Sequence, residues 1–259
     1  MLPNNAETGG VILICYIYDG TFEGLLTSIY DAYYNKEKPE KILKEDEFTP
    51  SLLTVPYYIQ SDKLKASKVY EAIKTKLSSI SLKYCFYVYL SEIIESGSII
   101  YDYVKLGFKI GKNIDMHLHE DSVLRIHQTV KKVTWEYHRM LGFVRFKDVN
   151  NKLLYATIEP DHNIVALITP HFTERLSSEN FIIHDIKRGI ASVYNKNEWS
   201  ITTLSKEQSL KLLSENEDGI YELLWKDYFM STTIDSRYNP KLQKMHMPKR
   251  YWKFLTELP

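Results

Sequence analysis

The sequence predicts an α+β fold: an N-terminal strand with a helical half, a central antiparallel meander sheet, and C-terminal helices. Three observations carry that expectation. Long apolar stretches with three-to-four spacing and few breakers dominate residues 61–141. After Gly142 the texture changes to short β-branched and aromatic runs separated by turns of two to four residues. The end of the chain returns to helical spacing. Runs of helices, then of strands, then of helices differ from the regular alternation of a wound α/β sheet. A division at 1–141 and 142–259 follows, the two parts expected to form one compact unit.

Taken in order, Val11 to Tyr18 is β-branched and aromatic and stops at the turn signal Asp19-Gly20. Thr21 can cap a helix carrying Leu25, Leu26, Ile29 and Tyr33 at helical spacing. The Lys/Glu-heavy stretch from Asn35 to Glu47, followed by Pro50 and Pro56, predicts a solvated connection. Ser61-Asp62 opens a helix through Val69, Ile73 and Leu77. Residues 79–108 predict two helices broken near Gly97-Ser98. Another helix spans about Ser122 to Leu141, with Val123, Ile126, Val130, Val133, Tyr137 and Leu141 on one stripe. Strands are expected at Phe143–Phe146, Leu154–Ile158, Ile164–Ile168, Phe181–His184, Ile190–Tyr194 and Trp199–Thr202, joined by turns such as Asn150-Asn151, with a short helical turn at Pro170–Ser178. Helices at Lys206–Leu213, Asp218–Phe229 and Pro248–Leu258 complete the chain.

The chain has 259 residues, of which 44% are hydrophobic and 25% charged, enough to bury a real core and to exclude disorder as the main theme. Lys+Arg and Asp+Glu are both 33, so bulk-charge coating of nucleic acid is excluded. The balance is uneven along the chain. Residues 1–120 carry 13 basic and 16 acidic groups, and residues 121–259 carry 20 and 17. Arg237 to Lys253 holds six basic residues and no acid, interleaved with Tyr238, Tyr251 and Trp252. The 20 tyrosines suit half-buried, half-wet surfaces. The apolar run Val11–Ile17 is far short of the roughly 20 residues of a membrane helix. Met1 to Gly10 has no Lys or Arg, so no signal peptide and no membrane contact are expected. Cys15 and Cys85 lie in apolar runs and read as buried thiols of a cytoplasmic protein.

No P-loop, G-x-G-x-x-G or G-x-S-x-G pattern occurs, and two separated cysteines cannot hold a zinc or iron–sulfur site. His117, His119 and His127 lie near Glu120 and Asp121, but alternate histidines in a charged loop are ordinarily solvated; no metal and no cofactor are expected. The stronger constellation is His138-Arg139, Arg145, His162, His171, Arg175, Asp185 and Arg188. Arginine forks bind phosphate or carboxylate, and histidine adds a donor or a proton. Candidate acid–base groups are therefore His138, His162, His171 and Asp185. The structural alternative is an Arg–Asp pair bracing a hairpin, with histidines at strand ends. At the C-terminus, Arg237, Asn239-Pro240, Lys249 and Arg250 join charge to aromatic faces, suited to phosphates and bases. The plainer role for Trp252 and Leu255 is burial against the core.

Several ordered segments resemble one family: Tyr18-Asp-Gly-Thr-Phe-Glu-Gly-Leu-Leu26, Glu136-Tyr-His-Arg-Met-Leu-Gly-Phe-Val-Arg-Phe146, Pro160-x-His162, Pro170-His-Phe172, Trp225-x-x-Tyr228-Phe229, and Arg237 through Gln243 and Met247-Pro248 to Tyr251-Trp252. Together they are similar to bacterial proteins of DNA metabolism or DNA repair built on a domain of unknown function. The resemblance implies a radical-SAM protein as partner. It also implies relatives fused to uracil-DNA glycosylase-like domains, a domain not expected in a chain stopping at Pro259. It assigns no catalytic residues. The leading expectation is an accessory protein that binds DNA. The alternatives are an enzyme acting on a nucleotide or damaged base, and a scaffold that binds the radical-SAM protein through the tyrosine-rich helical half.

Overall fold

A computed structural model describes residues 13–149, 152–214, 220–237 and 239–257. The chain divides into two compact units, Met1–Val133 and Thr134–Pro259. Helices stand at both ends of the chain and the strands fall into two sheets, so the α+β expectation holds. The expected turn at Asn150-Asn151, Val11, Asp218, Tyr238 and Leu258 lie outside the described residues.

The first unit is built on β1 (Leu13–Tyr18), the central strand of a three-stranded parallel sheet. Its partners are β2 (Lys41–Lys44) and β3 (Thr54–Ile59), both inside or beside the stretch expected to be a solvated connection. Both are edge strands. β2 is four residues with a lysine at each end, and β3 carries Pro56, tolerated where one side of a strand needs no partner.

Helix α1 (Phe22–Tyr34) starts as expected at Thr21, whose Oγ1 accepts the Gly24 N–H at 2.9 Å. Asp19 holds that cap, accepting from the Thr21 N–H and hydroxyl and from the Ser61 hydroxyl. These bonds keep the Asp19 carboxyl below its ordinary range despite the opposing effect of burial.

Helix α2 (Lys63–Ala72) is capped by Asp62 and runs into a π turn, Ile73–Leu77. Helices α3 (Ser79–Leu90) and α4 (Ser96–Ile110) are the expected pair. The break lies at residues 91–95, where Glu92 and Glu95 adopt left-handed backbone, rather than at Gly97-Ser98. Gly97 and Ser98 belong to the first turn of α4, which approaches β2. The Ser98 hydroxyl accepts the Ile42 N–H at 3.0 Å and donates to the Ile42 carbonyl at 3.1 Å. A Cβ at Gly97 would stand 2.6 Å from the Ile42 carbonyl oxygen and 3.2 Å from the Tyr18 ring. Leu25, Ile29, Ile73, Leu77, Cys85, Ile100, Tyr103, Val104, Val123 and Ile126 fill the core beneath. Both cysteines are buried and unpaired, and burial pushes their thiols up.

Helix α5 (Asp121–Phe143) is the expected long amphipathic helix, and the division between units falls within it. The second unit holds a five-stranded sheet in the order β4 (Lys147–Val149), β5 (Leu153–Ile158), β6 (Asn180–Asp185), β7 (Ile190–Asn195), β8 (Trp199–Thr203). It is not a pure antiparallel meander, because β5 and β6 pair in parallel. The cause is α6 (Val165–Arg175), a crossover helix where Ile164–Ile168 was expected to be a strand. A short apolar run does not distinguish strand from helix. Here its buried residues Val165, Ile168, Thr169 and Phe172 follow helical spacing straight through Pro170. Phe143–Phe146 is likewise the end of α5 and a linker, with Phe146 against Phe172 and Phe181 at 5.3 and 5.6 Å.

The chain closes with α7 (Lys206–Ser214), α8 (Ile220–Thr232), a short α9 (Pro240–His246) capped by Asn239, and a 3-10 turn Lys249–Phe254 in place of the last expected helix. Among the described residues no helix is long and apolar enough to cross a membrane.

Gly97→Ala should lower stability by about 1–3 kcal/mol through overpacking against the β2 backbone. Urea unfolding measures it, and an unchanged midpoint would show that α4 does not need this close approach.

Candidate functional site

In the second unit, the loop Glu159-Pro160-Asp161-His162 follows β5 and leads into α6. Its backbone is fixed from two directions. The Glu136 carboxylate on α5 is buried, and it accepts the N–H groups of Asp161 at 2.6 Å and His162 at 2.8 Å. The Tyr251 hydroxyl donates to the same carboxylate. Burial and this acidic partner both raise the Tyr251 phenol, so it stays a donor. From the other direction Arg188 donates to the Pro160 carbonyl at 3.1 Å and the Asp161 carbonyl at 2.7 Å.

Arg188 is itself held by Asp185, a fully buried carboxylate at the end of β6. Asp185 also accepts the Lys187 and Arg188 N–H groups that close the β6–β7 turn. This is the Arg–Asp brace of a hairpin that the sequence left as an alternative. Asp185 thus accepts three hydrogen bonds out of solvent, and Arg188 directs its fork at two loop carbonyls and at Asp185.

Two more of the expected anion-binding arginines are engaged. Arg145 grips Glu257 with two nitrogens, at 3.2 and 2.5 Å, and donates to the Gly142 carbonyl at 2.7 Å. Glu257 has a side chain only 3% exposed. Burial alone would raise its carboxyl, but the hydrogen bonds from Arg145 hold it below the ordinary range. Arg250 pairs with Asp161 at 2.6 Å, half exposed, and stacks on the Tyr251 ring at 4.7 Å. Lys253 pairs with Glu159.

The remaining candidates lie elsewhere. His138 is exposed and Arg139 half-buried near the end of α5. His171 lies on α6 with its ring edge-on to Phe172 at 5.1 Å, and Arg175 is exposed in the last turn of that helix. Arg237 is exposed, and Lys249 lies over the Trp252 ring at 5.9 Å. Trp252 is half-buried, its indole donating to the Met247 carbonyl at 2.8 Å, and Leu255 is buried, as their plainer reading had it. Asn239 spends its side chain on the α9 cap, accepting from Leu242, and Pro240 opens that helix. In the first unit His127 bonds Asp115 and His117 bonds the Asn113 carbonyl. Among the described residues no group of three or more His, Cys, Asp or Glu side chains could hold a metal ion.

Three structural groups had no assigned role in the sequence. Glu136 left a trace: it occupies a core-facing position of the α5 stripe, between Val133 and Met140, where a carboxylate must find donors. Glu257 left none, because its partner is 112 residues away. His184 is fully buried on β6. Its Nδ1 meets the Tyr155 hydroxyl at 2.7 Å, and that hydroxyl meets Ser209 at 2.7 Å. Burial pushes the His184 imidazole below its ordinary range, against weaker opposing pulls from Asp185 and the Leu204 carbonyl.

Glu136→Ala leaves two loop N–H groups without their acceptor and should cost about 3 kcal/mol in urea unfolding; a loss under about 0.5 kcal/mol would mean the loop holds without it. His184 supplies a pH test. Its folded-state pKa is lowered, so only the unfolded chain takes up that proton as pH falls through the usual histidine value of 6.5. Wild-type stability should therefore decline below that pH, and His184→Gln should flatten the decline. Parallel pH curves for the two proteins would refute the assignment.

No curated protein matches the chain. A family described as "Domain of unknown function" (DUF4130) matches residues 95–257, from the residue before α4 through the five-stranded sheet to just past the 3-10 turn. With most of its length inside that match, the chain belongs to the DUF4130 family.

Proposed function

We propose that this protein is an accessory nucleic-acid-binding protein of a DNA metabolism or repair system, acting with a radical-SAM partner and not catalytic by itself. The observation that carries the reading is a division of labour among the cations of the second unit. Arg145 and Arg188 are held by the buried carboxylates of Glu257 and Asp185, and Arg250 and Lys253 pair at the surface with Asp161 and Glu159. Arg139, Arg175, Arg237, Lys241, Lys244 and Lys249 have no carboxylate partner among the described residues. Four of these lie exposed in residues 237–249: Arg237 ahead of α9, Lys241 and Lys244 on it, and Lys249 in the turn that follows. Exposed lysines and arginines without internal partners are the groups that can exchange condensed counterions for phosphates. A local site of this kind is compatible with a net charge of zero.

The resemblance to DNA metabolism and repair proteins supplies the system and the partner. For the partner, the first unit offers exposed Tyr33, Tyr34 and Tyr58, rings of the kind enriched in protein interfaces.

Fluorescence anisotropy on labelled DNA tests the reading. With about four phosphate contacts, single-strand affinity should fall roughly 50-fold between about 50 and 200 mM salt. A triple variant, Lys241→Ala with Lys244→Ala and Lys249→Ala, should lower the log–log salt slope by about 2. No binding at the lower salt, or an unchanged slope in the variant, would overturn the reading.

A further inference from the structure

On α8, Trp225 and Tyr228 stand one turn apart with ring centroids 5.7 Å apart and planes 33° from parallel. Both are exposed, 40% for Trp225 and 59% for Tyr228. Large aromatic rings left in water on a helix need a reason, since burying either would be favourable. The indole is nevertheless held in place. Its Nε1–H donates to the Glu257 carboxylate at 3.1 Å. The Arg145 guanidinium lies over its ring at 5.6 Å, and that arginine is fixed by its two-nitrogen grip on the same carboxylate. An arginine, a buried carboxylate and a neighbouring tyrosine thus set the position of an exposed ring.

The geometry points to Trp225 and Tyr228 as a base-stacking platform for single-stranded nucleic acid. The inference rests on the nucleic-acid reading above and names the strand type and the subsite. Three features select this occupant. A ring immobilised before binding loses little side-chain entropy when a planar partner arrives, and nucleobases are such partners whatever their sequence. The segment that continues from α8 is rich in cations without carboxylate partners among the described residues, Arg237, Lys241 and Lys244 among them, which complements a polyanion. Duplex bases already stack on one another, so only an unpaired strand can present a face to the indole.

Two substitutions separate stacking from support of the fold. Trp225→Phe and Trp225→Leu both lose the hydrogen bond to Glu257, but only the leucine loses the π face. The probe is a fluorescein-labelled oligo-dT, titrated against the full chain at low salt beside a duplex of the same length. The expected results are these: oligo-dT quenches the intrinsic tryptophan fluorescence of the wild type; Trp225→Leu weakens oligo-dT binding about 5- to 100-fold, with little effect on the duplex; and Trp225→Phe retains most of the affinity. Circular dichroism and urea midpoints of both variants confirm folding. If the wild type binds oligo-dT but the leucine and phenylalanine variants bind equally, the platform is refuted and the nucleic-acid reading stands. If the wild type binds no DNA, both fall. If Trp225→Leu keeps its DNA affinity and loses a partner protein, the face is a protein-docking surface and the stacking proposal is overturned.

Discussion

The second unit depends on one buried carboxylate. Glu136 sits on the core-facing stripe of α5, where an unpaired negative charge would be prohibitively costly. Its needs are met by the N–H groups of Asp161 and His162 and by the Tyr251 hydroxyl. That single requirement ties a helix, the loop between β5 and α6, and the C-terminal 3-10 turn to one point. The Asp185–Arg188 pair completes the arrangement by taking the loop carbonyls that Glu136 cannot serve. Acceptors and donors of the same loop are thus satisfied by two oppositely charged groups, each itself anchored. Charge inside this unit is used to define a loop geometry.

The same economy explains why several arginines are absent from the surface chemistry. Arg145 has an acceptor set of its own in Glu257 and two backbone carbonyls. Its guanidinium also lies against the exposed Trp225 ring. Charged side chains that cluster in sequence therefore separate in space into those that hold the molecule and those that face outward. The outward set is concentrated where α9 and the last turn carry little internal acid.

Much of this architecture was legible from residue order. The cap at Thr21, the helix opened by Asp62, the long stripe of α5 and the hairpins β6–β7–β8 all carry local signals, and the structure follows them. The parallel strands β2 and β3 were not legible, because their partner β1 lies more than twenty residues away and their own residues look solvated. Helix α6 was misread because Ile164–Ile168 is too short to show its period before Pro170, a residue that ordinarily ends a helix. In the site, Asp185 and Arg188 lie three residues apart across a turn, so their brace is open to inference from spacing. Arg145 and Glu257 are 112 residues apart, and no local spacing announces that pair. Glu136 is open to inference as a charge in an apolar stripe.

The contact between α4 and β2 has a consequence beyond packing. An edge strand exposes a backbone row that any other extended chain can read as a template. Ser98 occupies both hydrogen-bonding groups of Ile42 with one hydroxyl, and the missing side chain at Gly97 lets it come close enough to do so. One small side chain thus imitates the next strand of the sheet and ends it there. On this side the three-stranded sheet ends at a serine, which takes the place another strand would occupy at Ile42.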